Sequence, residues 1–160
     1  MPRQIPGLEF GYLYRSATEA ARVGGDFYDL FELEHDKVAI TMGDVSGHGI
    51  EAATLTSLVR STIRAYAYLD ETPALVMSKT NDAVRKTVAP AIFITVFFGI
   101  LNKSSGALTY CSAEHSKAVL KRKTPETSLF RTRSPVVGTF AGRLDYLDDG
   151  DMLAVSLAGD

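Results

Sequence analysis

Helical spacing of apolar residues is confined to one block of this chain, and that confinement excludes most architectures. From Gly49 onward, Ile50, Ala53, Leu58, Val59, Ile63 and Tyr66 recur at three- and four-residue steps up to Asp70, the pattern of a helix with one apolar face. Thr72 and Pro73 then read as an N-cap followed by proline at the first helical position. They open a second helix through Leu75, Val76, Lys79, Ala83 and Val84 to about Thr87. The spacing predicts an antiparallel helix pair.

Strand patterns lie on both sides of this block. Residues 8–14 alternate large apolar with small or polar side chains and predict a strand, followed by a connecting segment over 15–22. Residues 27–33 and 37–42 predict a hairpin around the polar turn Glu34-His35-Asp36. After the helices come strands over 91–101, 107–113, 117–121, a weaker one over 128–131, and one over 152–157, separated by Gly, Ser, Pro and Asp turns that allow two hairpins. Runs of strands with one helical block, rather than strict alternation, favour an α+β layered fold with a mostly antiparallel sheet. At 160 residues and 46% hydrophobic content, one compact domain over 1–160 is expected.

Charge and cysteine content narrow the function classes. A net charge of −2 with 17 dispersed Lys and Arg and a pI near 5.9 offers no basic field for nucleic acid. Cys111 is the sole cysteine, so neither an intrachain disulfide nor a thiolate cluster can form, and a cytoplasmic location is expected. The longest apolar stretch, 89–101, is too short to span a bilayer and is broken by Pro90, Thr95 and Gly99. With no signal-peptide profile at the N-terminus, a soluble protein without membrane partners is expected.

Two aspartates sit where hydrophobic strands meet glycine-rich turns: Asp26 in Gly24-Gly25-Asp26-Phe27-Tyr28-Asp29, and Asp44 in Gly43-Asp44-Val45-Ser46-Gly47-His48-Gly49. If their strands are neighbours, the carboxylates converge. Hard divalent cations such as Mg2+ and Mn2+ take oxygen ligands, often one or two carboxylates per ion completed by water and backbone carbonyls. The flanking glycines would let the Val45 carbonyl turn toward an ion. Either motif alone reads as an N-cap or a turn; the ordered pair points to a carboxylate metal site.

These segments resemble the metal-dependent PPM-type (protein phosphatase 2C-like) serine/threonine phosphatases, in the bacterial branch typified by SpoIIE and RsbU. The resemblance runs along nearly the whole chain. It comprises Tyr14-Arg15 and Ala17 before Val23 to Asp29, Gly43 to Gly49 with Ala52 and Ala53, Ala91 to Gly99, Gly106 to Tyr110 running into Ser112-Ala113-Glu114-His115, and Gly150-Asp151. It implies a β-sandwich flanked by antiparallel helices, with a two-metal centre of Mn2+ or Mg2+ at one edge. It assigns Asp26 and Asp44 to metal-binding and catalytic carboxylates and Val45 to a metal-binding carbonyl. In such a centre two ions activate a shared water that attacks phosphorus directly, with no covalent enzyme intermediate. The implied substrate is phosphoserine or phosphothreonine on a bacterial regulatory protein, such as an anti-sigma-factor antagonist, with a sensor or regulatory partner.

The chain departs from the family pattern near its end. A gap-free match from Gly150-Asp151 puts the family's Thr-Asp-Gly metal motif on Leu157-Ala158-Gly159; a two-residue slip would bring Asp160 to the ligand position instead. The family's last strands and final acidic ligand would fall beyond residue 160, so either a C-terminally truncated fragment or a degenerate domain is expected. The second case defines the alternative function, a catalytically weakened domain acting as a binding or regulatory module. Ser112-Ala113-Glu114-His115 also stands where Asn-Ala-Gly-His is usual, a change expected to affect a turn more than the chemistry.

The remaining polar residues read as structural or minor. Asp29, three residues beyond Asp26 on a strand of period two, faces the opposite side and is expected to make structural hydrogen bonds. His48 is given a minor role at most, His115 reads as a turn or sheet-edge hydrogen-bonding residue, and His35 as a solvated hairpin tip. Three separated histidines make no zinc pattern. Asp145, Asp148, Asp149 and Asp151 read as a solvated turn, and Arg15 as a weak phosphate contact.

Overall fold

The computed structural model describes residues 4–11, 25–89, 91–116, 118–121, 127–129, 135–138 and 153–154. Its elements are β1 (Asp26–Glu32), β2 (Lys37–Val45), α1 (Gly49–Ala67), α2 (Pro73–Val84), β3 (Ile94–Asn102), β4 (Ala107–Ala113), β5 (Val119–Lys121), β6 (Thr127–Leu129) and β7 (Leu153–Ala154). Strands β1-β2-β3-β4-β7 form one sheet in that order, every pair antiparallel, and β5 pairs with β6 in a second, two-stranded sheet. The expected α+β architecture with a mostly antiparallel sheet is present, its two helices packed against each other and against the sheet.

The hairpin of β1 and β2 turns at His35 and Asp36, whose φ values of 56° and 59° give the twist that antiparallel neighbours need. Lys103 braces that corner: its backbone N–H donates to the Asp36 carbonyl at 2.9 Å, and its ammonium lies 3.7 Å from both Glu32 and Asp36.

Strand alternation sorts the sheet into two faces. Phe27, Phe31, Ala39, Val45, Ile94, Val96, Phe98 and Ile100 pack beneath the helices against Val59, Ile63, Val76 and Met77 in the main core. Asp29 shares this face and is buried; it takes two hydrogen bonds from Arg64 of α1, at 3.0 and 2.8 Å. Its expected structural role is therefore seen, with α1 as the partner. The other face carries Leu30, Val38, Phe97, Leu101, Leu108 and Tyr110, partly covered by Ile5, Leu8 and Phe10 of the N-terminal segment.

One local expectation is corrected. The strand over 8–14 does not form in its described part: Pro6 and Gly7 sit at the centre of a turn, closed by a 3.1 Å bond from Leu8 N–H to the Ile5 carbonyl. Gly7 has φ of 79°, as a type II turn with proline before glycine requires. Only an Ile5–Leu8 bridge results, and residues 12–14 lie outside the described residues. The expected start of α2 is present, with Thr72 at the N-cap and Pro73 following, although the Thr72 side chain makes no capping bond. Asp70 acts locally instead, its carboxylate accepting the Thr72 N–H at 2.8 Å.

Candidate functional site

Hairpin register decides the geometry of the aspartates. Asp26 on β1 faces Asp44 on β2, and Asp44 in turn faces Thr95 on β3. All three belong to the face opposite the helices, so the strands present a cross-sheet row of Asp26, Asp44 and Thr95. The convergence expected if the strands were neighbours is what the sheet contains. Asp44 remains reachable by solvent. Its carboxyl is nevertheless pushed above the ordinary aspartate range, first by partial burial, then by the negative charge of Asp26, while His115 pulls the other way. A like-charged pair held by strand register is one that a cation would neutralise.

The backbone closes tightly around this pair. Gly25 accepts the Val45 N–H at 3.0 Å, and a Cβ at Gly25 would overlap the Val45 carbonyl oxygen and lie 2.6 Å from Asp44 Oδ1. Only glycine allows β1 to begin this close to the end of β2. Beyond Val45, Ser46 continues the pairing: its N–H donates to the Phe93 carbonyl and its Oγ accepts the Phe93 N–H, both at 3.0 Å. The chain then reverses through Gly47 and Gly49, at φ of 113° and 80°, values that suit residues lacking a Cβ. This turn starts α1 next to the carboxylates. Thr56 of α1 reaches back to donate to the Gly25 carbonyl at 3.1 Å.

His48 is the N-cap of α1, exposed and without a side-chain capping bond. A groove of about 470 Å³ opens beside it, lined by Ser46, Gly47, Glu51, Ile92 and Phe93 among others. His35 is exposed on its hairpin tip, 3.8 Å from Glu34. His115 is different. Half-buried, its Nδ1 lies 2.9 Å from Thr95 Oγ1, so the expected hydrogen-bonding role is present, but on the carboxylate row. Burial holds its imidazole below the usual histidine range, opposed by the charges of Asp44 and Asp26. The sequence reading missed that proximity. The available signal was the pairing of the strand holding Thr95 with the strand holding Asp44, together with the turn at Ser112-Ala113-Glu114-His115.

The donors that could hold a cation here are the carboxylates of Asp26 and Asp44 and the Val45 carbonyl, all hard oxygens suited to Mg2+ or Mn2+ rather than to a soft metal. Among the described residues no group of three or more His, Cys, Asp or Glu is placed to hold a metal ion. Arg15, the acidic residues 145–151, Ala158 and Asp160 lie outside the described residues.

The profile of the Stage II sporulation protein E (SpoIIE) family matches residues 34–152. The chain belongs to the SpoIIE family. The matched span includes Asp44, Val45, Thr95 and His115 and leaves Asp26 outside it. This SpoIIE-family chain is 28% identical over 185 residues to Protein IcfG of Synechocystis sp., covering 96% of the chain and 29% of that protein. It is 26% identical over 158 residues to phosphoserine phosphatase RsbU of Bacillus subtilis, covering 95% of the chain and 46% of that protein. It thus spans less than half the length of either relative.

Its fold is similar to the crystal structure of the RsbU and RsbW domains of Rv1364c from Mycobacterium tuberculosis, with a TM-score of 0.74, 25% identity, and coverage of 86% of this chain and 38% of that one. It also resembles RsbX, solved in complex with magnesium, at a TM-score of 0.65 and 18% identity, over 84% of this chain and 63% of RsbX. No described helix is long and apolar enough to cross a membrane.

Proposed function

We propose that residues 1–160 form one metal-dependent phosphatase domain that hydrolyses phosphoserine or phosphothreonine on a bacterial regulatory protein. The observation that carries this reading is the register of β1 against β2, in which Asp26 faces Asp44 beside the Val45 carbonyl. Family membership and the likeness to a phosphoserine phosphatase, RsbU, support the reaction class. The proposed ligands are Asp26, Asp44 and Val45. A Mn2+ or Mg2+ pair bound there would supply an acidified water and neutralise phosphoryl oxygens.

The chain's own residues would orient that chemistry. β1 and β2 hold the carboxylates at fixed separation through their hydrogen bonds. Gly25 keeps the space beside Val45 open, and the Gly47–Gly49 turn points the N-terminus of α1 toward the same end of the sheet, where backbone N–H groups favour an anion. The substrate proposed is a phosphorylated anti-sigma-factor antagonist, a choice that rests on resemblance to the SpoIIE and RsbU branch. The alternative, a binding or regulatory module, draws on Ala158 at the gap-free position of a further ligand.

Hydrolysis of an aryl phosphate with Mn2+ tests this, comparing the chain with Asp44→Ala and Asp26→Ala. Turnover that needs Mn2+ and falls at least about a hundredfold in either variant is expected. A folded chain without metal-dependent turnover would support the module instead, and an unchanged Mn2+ titration in Asp26→Ala would remove that residue from the ligand set.

A further inference from the structure

The end of the sheet that carries Asp44 is also where exposed apolar side chains collect. Among the described residues, three of the six large apolar side chains left exposed are Met42, Ile50 and Phe93. They belong to the segments that meet at Asp44: β2 itself, the turn into α1, and the stretch leading into β3. Phe93 is held there through its backbone, whose carbonyl accepts the Ser46 N–H and whose N–H donates to Ser46 Oγ, both at 3.0 Å. Single exposed apolar residues need no explanation, but a group of them marks a contact surface.

Between Phe93 and the first turn of α1 lies the groove of about 470 Å³. Pockets of about 300–1,000 Å³ enclose a drug-sized molecule, so a short stretch of polypeptide fits. Ala52, Ala91, Ile92 and Phe93 give the groove apolar walls, and Glu51 is the acidic side chain among its lining residues. Glu51 is exposed and enters none of the ion pairs among the described residues. A carboxylate in a first turn suits the helix dipole wherever it occurs; here it also gives an apolar groove one negative charge. The complement of such a surface is a segment that carries an apolar side chain and a lysine or arginine.

Ser46, at the edge of the groove, lies two residues beyond Asp44, and an extended chain advances about 3.3–3.6 Å per residue. A peptide whose phosphoserine sat at Asp26 and Asp44 would reach the groove with the residues about two to four positions away. We infer that this groove docks the polypeptide flanking the phosphoserine, with Ile92 and Phe93 against an apolar side chain and Glu51 selecting a lysine or arginine. This rests on the phosphatase reading above. Glu51 is then a specificity-determining residue, which chooses among phosphoproteins and takes no part in the hydrolysis.

The test uses the full chain with Mn2+ and phosphoserine peptides of one length that carry arginine or glutamate two to four residues from the phosphoserine. The readout is the ratio of kcat/KM for the arginine peptide to that for the glutamate peptide. Because each ratio is taken within one protein, a loss of folded chain cancels. Wild type should favour arginine about five- to tenfold, Glu51→Gln should bring the ratio to about one, and Glu51→Lys should invert it. Phe93→Ala should lower kcat/KM for the arginine peptide, relative to an aryl phosphate, about three- to tenfold. A wild type that hydrolyses both peptides equally overturns the inference and leaves the phosphatase reading standing. So does an arginine preference that survives in Glu51→Lys, since another charge would then supply it. A dimer that Phe93→Ala breaks, seen by sedimentation together with equal peptide ratios, would give the groove to a second copy and overturns the inference too. A wild type without Mn2+-dependent turnover on the aryl phosphate would instead sink the phosphatase reading. Fluorescence anisotropy of the same peptides then decides for the groove: tighter binding of the arginine peptide, lost in Glu51→Gln, supports it, and equal binding overturns it.

Discussion

Glu114 occupies a left-handed backbone position, with φ of 51°, at which a side chain with a Cβ is strained and glycine is not. This is a physical reason for glycine at this place in the Asn-Ala-Gly-His pattern that the chain resembles. Replacing an exposed left-handed residue by glycine relieves about 1–2 kcal/mol of strain and costs about 0.5–1 kcal/mol of chain entropy. Glu114→Gly is therefore expected to stabilise the fold by about 0.5–1 kcal/mol, whereas Glu114→Ala should give no such gain; urea unfolding of the two variants checks this. The same turn aims His115, so a change that stabilises it should leave the Thr95 bond intact.

Helix α1 is the element that ties the core to the carboxylate corner. At its middle, Arg64 clamps the buried Asp29 of β1 and lies 4.3 Å over the Phe31 ring; nearer its start, Thr56 bonds the Gly25 carbonyl. Asp29 is almost fully buried while Arg64 is 37% exposed. Losing the arginine leaves a carboxylate without its partner in the core, and Arg64→Ala is expected to cost about 2–4 kcal/mol, slightly below the range for a fully buried pair. Removing both as Asp29→Leu with Arg64→Met should cost much less than the sum of the single changes. Denaturant unfolding of the four proteins in a double-mutant cycle measures this. Additive losses would show that the pair contributes little beyond its separate packing.

For the molecule as a whole, a cation bound at the proposed site of Asp26 and Asp44 would make stability depend on metal. A ligand that binds only the folded chain adds about 2.7 kcal/mol at a hundredfold excess over Kd. For a chain of this size that corresponds to a Tm rise of about 5–10 °C. Mn2+ should produce this shift in the wild type and not in Asp44→Ala, in a thermal melt that reports no catalysis. A shift retained in Asp44→Ala would place the cation elsewhere.

Much of this architecture was readable before any coordinates. The helical block from Gly49, the hairpin around His35 and the strands either side of Gly106 depend on local periodicity and turn chemistry, which a chain carries in its own order of residues. The identity of Asp26 and Asp44 as a pair was legible for the same reason, since each follows glycine at a strand end. The N-terminal strand misled because alternation over 8–14 says nothing of the Pro6–Gly7 turn that redirects Leu8 onto Leu30 and Val38. Register is a tertiary property, and so it was the sheet that set Asp26 against Asp44, Asp44 against Thr95, and His115 onto Thr95. Residues 26, 44, 95 and 115 are too far apart in the chain for local forces to relate them; only cross-strand hydrogen bonds and the packing of α1 and α2 on one face leave the other face to gather them.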